Sequence, residues 1–137
     1  MSETTTDTDR ATSGLVLEDD SPAGVPRARD IARAFADGLD PALATEAAET
    51  LALVVTELTT NALRHGGGRY TLELSATPDT VNVAVSDLSH APPQVRAPDL
   101  NGSTGGFGWH MVRSLTSSLT VTCDPGQGKT ILARLPR

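Results

Sequence analysis

A chain of 137 residues, 38% of them hydrophobic, has room for one domain with a real core but not for two. Its formal net charge of -6, from 17 Asp and Glu against 11 Lys and Arg, argues against a nucleic-acid backbone as main partner, because such binding needs clustered cations. The single cysteine, Cys123, leaves no intramolecular disulfide, and no apolar run reaches the length of a signal core or a membrane span, so the sequence reads as a soluble, cytoplasmic protein with no membrane partner.

Residues 1–12 are mostly Ser, Thr, Asp and Glu with almost no apolar content, which cannot repay the entropy of ordering, so a disordered tail is expected before one domain over 13–137. The run Leu15, Val16, Leu17 predicts a short edge strand. From Val25 onward, Val25, Ala28, Ala32, Phe35 and Leu39 keep three-four spacing and Gly38 closes the pattern, which predicts an amphipathic helix. Asp40 followed by Pro41 reads as an N-cap with proline at the first helical position. The second helix is expected to run from there to His65, where Gly66, Gly67 and Gly68 stop it. Alternation of Tyr70, Leu72, Leu74 and Ala76, then of Val81, Val83 and Val85, around a turn at Pro78 and Asp79, predicts a β-hairpin. The parity of its second strand carries Asp87 onto the valine face, where it is expected to point into a pocket.

The segment from His90 to Thr104, with three prolines and little periodicity, has the length of a functional lid. A short helix through Trp109, Met111, Val112 and Leu115 should follow the glycines Gly105, Gly106 and Gly108. Strands around Leu119, Val121, Cys123 and around Ile131, Ala133, Leu135, joined by the turn Asp124 to Gly128, close the chain. With aromatics at 3%, the core must be built from Leu, Val, Ile and Ala. The expected class is α+β, a two-layer sandwich in which one mixed or antiparallel sheet is covered on one face by helices.

On the second helix the polar set Glu57, Asn61, His65 recurs every four residues beside the stripe of Leu51, Val54, Val55, Leu58 and Ala62. At about 100° per residue, Asn61 falls within roughly 20° of Val54 and His65 within roughly 20° of Leu58. Polar groups placed there need partners, since an unsatisfied buried one costs about 1–3 kcal/mol. Glycines 105, 106 and 108 let a polyphosphate approach the backbone, and the helix N-terminus after them offers free N–H groups with a favourable dipole. Taken singly, each feature has a bland reading: a solvated helix edge for Glu57 and Asn61, a turn-starting acid for Asp87, a flexible loop for the glycines, surface charges for Lys129 and Arg113. The conjunction, in this order, points to nucleotide binding. Gly128-Lys129-Thr130 is not a P-loop, because that motif needs glycine where Cys123 stands and a helix where Ile131 to Leu135 reads as a strand. His65, His90 and His110 have no metal-site spacing.

Together these residues, from about Val25 to Pro136, resemble the GHKL or Bergerat-fold ATP-binding domain of the histidine kinase-like ATPase superfamily. Within it the likeness is to the anti-sigma-factor serine/threonine kinases, which open with a similar Val25-Pro26-Arg27 helix. The resemblance implies ATP and Mg²⁺ as cofactors. Asn61 in Glu57-Leu-Thr-Thr-Asn61 would coordinate Mg²⁺, Glu57 would act as base or orienter, and His65 would lie near the phosphates or lid. Asp87 would accept a hydrogen bond from the adenine amine. Ser89 stands where many members have glycine, a departure the anti-sigma subgroup shares. Gly105, Gly106 and Gly108 would enclose phosphate, and Thr130 would supply the hydroxyl on the adenine side, although relatives carry threonine where this chain has Lys129. Trp109 replaces the usual leucine after the last glycine and reads as a packing residue rather than a base-stacking platform.

The implied function is an ATP- and Mg²⁺-dependent regulatory serine/threonine kinase that phosphorylates a small antagonist protein. The alternative is a non-catalytic nucleotide-binding module that switches partners by sequestering a sigma factor or antagonist. Members of this subgroup often pair as dimers, an expectation that no second apolar stripe in the sequence supports by itself.

Overall fold

The computed structural model describes residues 14–19, 21, 23–65, 69–88, 105–124 and 128–137. The expected tail 1–12, Ser89 and the lid segment from His90 to Thr104 lie outside these described residues. In chain order the elements are β1 (Gly14–Asp19), α1 (Gly24–Gly38), α2 (Thr45–His65), β2 (Tyr70–Ala76), β3 (Thr80–Asp87), α3 (Gly105–Leu115), β4 (Ser118–Asp124) and β5 (Gly128–Pro136). The five strands form one sheet in the order β1-β2-β3-β5-β4, and every neighbouring pair is antiparallel. The sequence left mixed or antiparallel open; the pairing is wholly antiparallel. β5 enters beside β3 and leaves β4 at the edge.

The strands form where the sequence alternates, and the alternation decides which face is covered. Leu72, Leu74 and Ala76 of β2, Val81, Val83 and Val85 of β3, and Ile131, Ala133 and Leu135 of β5 are all buried. Opposite parity leaves Glu73 and Arg134 exposed on the far face. α2 contributes Leu51, Val54, Val55, Leu58 and Ala62 to the same core, and α3 contributes Val112. α1 presents Ala28, Ala32 and Ala36, all fully buried, with Ile31 and Phe35 packed beside them against the core. The product is the expected α+β sandwich with helices packed on one face of the sheet.

Two helix boundaries differ from the sequence reading. α2 begins at Thr45 rather than Pro41. Leu39 and Leu43 are both buried, and the Leu43 N–H donates to the Ala36 carbonyl at 3.1 Å, so the intervening residues fold the chain back onto the end of α1. Burial of two leucines outweighs the capping preference of Asp40. The first helical bond of α2 is made instead by Ala48 N–H to the Ala44 carbonyl at 2.8 Å. α3 begins at Gly105, so its glycines form the first turn instead of preceding it. Each glycine costs a helix about 1 kcal/mol relative to alanine. Val112 in the core, with Trp109 and Leu115 packed against it, anchors the helix despite them.

No helix among the described residues is long and apolar enough to cross a membrane.

Candidate functional site

The C-terminal end of α2 and one end of the sheet lie close together, because only residues 66–69 separate His65 from Tyr70 at the start of β2. Tyr70 pairs with Asp87 of β3, so the polar helix residues and the acid belong to the same end of the molecule. At a rise of about 1.5 Å per residue, Asn61 and Glu57 stand roughly one and two turns back along α2 from His65. Both are half-buried at the edge of the stripe formed by Val54 and Leu58. The helical wheel puts that edge opposite the one marked by Ala52 and Thr59. Thr59 is itself fully buried and needs no ligand, since its Oγ1 donates to the Val55 carbonyl at 2.8 Å.

Burial raises the pKa of Glu57 above its ordinary value of 4.5, and the positive charge of Arg64 partly opposes the rise. A carboxylate that is partly stripped of water is a better proton acceptor than an exposed one. The side chain of His65 is outside the described residues, as are those of Gly105 to Gly108; the backbone there is the first turn of α3. The first four N–H groups of a helix have no partner within it, so the backbone of Gly105, Gly106 and Gly108 presents donors that no carbonyl of α3 engages, where no Cβ stands in the way. Trp109 is half-buried against the core, as a packing residue should be, and His110 is exposed.

Asp87 lies on the buried face of β3, as parity predicted, and is 4% exposed. It does not face open space. Lys129, its cross-strand partner on β5, donates from Nζ to Oδ1 at 3.0 Å and stands 2.9 Å from Oδ2. Lys129 is therefore no surface charge: it is 3% exposed. The signal for it was present in the alternation Ile131, Ala133, Leu135, which, continued two residues back, puts 129 on the buried row. The same parity turns Thr130 to the far face, where its hydroxyl bonds Ser86 Oγ at 2.8 Å. Thr130 is thus not beside Asp87, and the expected hydroxyl on the base side is replaced by an ammonium. Gly128 precedes this pair with φ of 91°, and a Cβ there would overlap the carbonyl of Asp87. Glycine is required for β5 to begin so close to β3.

A recess of about 330 Å³ lined by Asp40, Pro41, Leu43, Pro78 and Arg137 lies at the opposite end of the sheet. Its one guanidinium is engaged with the carbonyls of Thr77 and Pro41, at 2.7 and 2.8 Å, and it holds none of the residues just described.

A family model for the histidine kinase-like ATPase domain matches residues 19–135. The chain belongs to this family. No curated protein was found to match it. Among solved structures it is similar to the histidine kinase domain of the blue-light activated histidine kinase EL346 from Erythrobacter litoralis. The TM-score is 0.54 and the identity 22%, over 83% of this chain and 59% of that one. This likeness establishes the fold of a histidine kinase-like ATPase domain, and the chain spans less than two thirds of the structure it matches. Membership makes ATP the ligand class implied for this domain.

Proposed function

We propose that this domain binds ATP with Mg²⁺ and acts as a regulatory serine/threonine kinase of the anti-sigma type, phosphorylating a small antagonist protein. The observation that carries the reading is the half-buried pair Glu57 and Asn61, one turn apart on α2 at the end of the sheet that also holds Asp87. The polyphosphate side fits the residues present. Asn61 would supply a carboxamide oxygen for Mg²⁺, and the backbone of Gly105, Gly106 and Gly108 would supply donors for phosphate oxygens. The chemistry that a Mg²⁺ held by Asn61 would supply is neutralisation of the charge that develops on transfer. Glu57 takes the proton of the acceptor hydroxyl as that oxygen bonds to the γ-phosphorus and ADP leaves. Its raised pKa supports that role, because a desolvated carboxylate holds a proton more firmly.

The base side fits less well, since Asp87 is already engaged by Lys129. That observation favours a second reading: a non-catalytic module that binds a sigma factor or antagonist and uses nucleotide only to order its surface. The deciding experiment is phosphoryl transfer from ATP to an antagonist bearing an acceptor serine, by wild type and Glu57→Ala. Transfer by wild type that is lost in the variant supports the kinase. Partner binding with no transfer by either protein supports the module. Calorimetry of ATP with and without Mg²⁺ on Asn61→Ala isolates the metal contribution: binding should be Mg²⁺-dependent in wild type and weakened in the variant.

A further inference from the structure

The Asp87–Lys129 pair occupies the place where a base would be read. In an adenine-selective site the acid must offer a carboxylate lone pair to the exocyclic amine, an N–H donor arriving at hydrogen-bond distance. Here such a donor is already part of the chain. Lys129 Nζ donates a hydrogen bond to Oδ1 at 3.0 Å and stands 2.9 Å from Oδ2 as an ion-pair contact without a hydrogen bond, so one ammonium lies against both oxygens of Asp87. The two side chains are 2% and 1% exposed, so no lone pair of the carboxylate opens onto solvent. The arrangement is rigidly specified: the residues are direct cross-strand neighbours, and Gly128 presses the start of β5 against the Asp87 carbonyl.

We propose that Lys129 is a specificity-determining residue that stands in for the adenine amine at Asp87, so that the domain holds a nucleotide through its phosphates and does not discriminate between purine bases. This rests on the ATP-binding reading given above. For adenine to reach Asp87, the ammonium must leave a buried carboxylate, and one neutral N–H donor is a poor exchange for a charged one. Base selectivity is therefore lost, and the affinity that base recognition would add is lost with it.

The test is calorimetric titration of Mg·ATP and Mg·GTP into wild type and Lys129→Met, with far-UV circular dichroism confirming the fold. Asp87→Asn/Lys129→Met is the second variant: it leaves no unpaired buried charge, and its carboxamide oxygen still accepts from an amine. The wild type should bind ATP and GTP with about equal affinity, and whichever variants fold should bind ATP at least about tenfold more tightly with GTP unchanged. Selection of either base by about tenfold or more in the wild type overturns the proposal, as do folded variants that bind ATP no better. If folded wild type and variants bind neither nucleotide, the ATP-binding reading itself fails, and this inference fails with it.

Discussion

Thr130 and Asp87 face opposite sides of the sheet, although Thr130 is only one residue beyond the one that pairs with Asp87. Because side chains alternate strictly along a strand, a one-residue offset in β5 separates a group that reaches the helix-covered face from one that cannot. Thr130→Val should therefore leave ATP affinity unchanged while costing about 1 kcal/mol of stability through the lost Ser86 hydrogen bond. Paired calorimetry and urea unfolding check both halves. A large fall in affinity would put Thr130 in the site after all.

Gly128→Ala should be among the most damaging single-methyl changes in the chain. Its φ of 91° disfavours any Cβ, and the added atom would overlap the Asp87 carbonyl, so β3 and β5 must separate where they now touch. Backbone strain alone costs about 1–3 kcal/mol, and the overlap adds to it. Urea denaturation should show a loss of at least about 3 kcal/mol; a loss below about 1 kcal/mol would mean that β5 can start elsewhere.

Lys129→Met removes one half of a buried ion pair and leaves the other. The expected cost is about 3–5 kcal/mol, because the remaining carboxylate of Asp87 is uncompensated. Asp87→Asn/Lys129→Met should recover most of it, since a neutral amide beside an apolar chain is far less costly to bury. A double-mutant cycle completed with Asp87→Asn measures the coupling, and additive effects would contradict the paired geometry.

Glu57 makes stability depend on pH in an unusual direction. Its folded-state pKa lies above 4.5 because burial disfavours the charged form, so the folded protein retains a proton that the unfolded chain releases. As pH rises from about 4.5 through the raised value, the folded state is increasingly penalised for ionising the group. Glu57→Gln should accordingly be more stable than wild type at pH 7, and the difference should shrink as pH falls towards 4.5. Thermal melts across that range test the sign. A variant less stable at pH 7 by a constant margin would show that the carboxylate is held by favourable contacts instead.

The hairpin of β2 and β3 and the buried stripe of α2 were legible because period 2 and period 3.6 are written directly in Leu72, Leu74, Val81, Val83, Val85 and in Leu51, Val54, Leu58. The start of α2 was not. Asp40-Pro41 is a sound local signal, and it was overruled by burial of Leu39 and Leu43, which is a property of what the chain folds against. Gly105, Gly106 and Gly108 misled in the same way, since local propensity placed the helix after them and packing of Val112 drew them into it.

The sequence alone thus determined the class of fold and the buried faces of β2, β3 and α2, because periodicity is a local property. Tertiary structure decided the strand order, the placement of β5 beside β3, and hence the partner of Asp87. Parity could assign Lys129 to the buried face, but only the cross-strand register could set its ammonium against that carboxylate, since register joins residues that lie 42 positions apart in the chain.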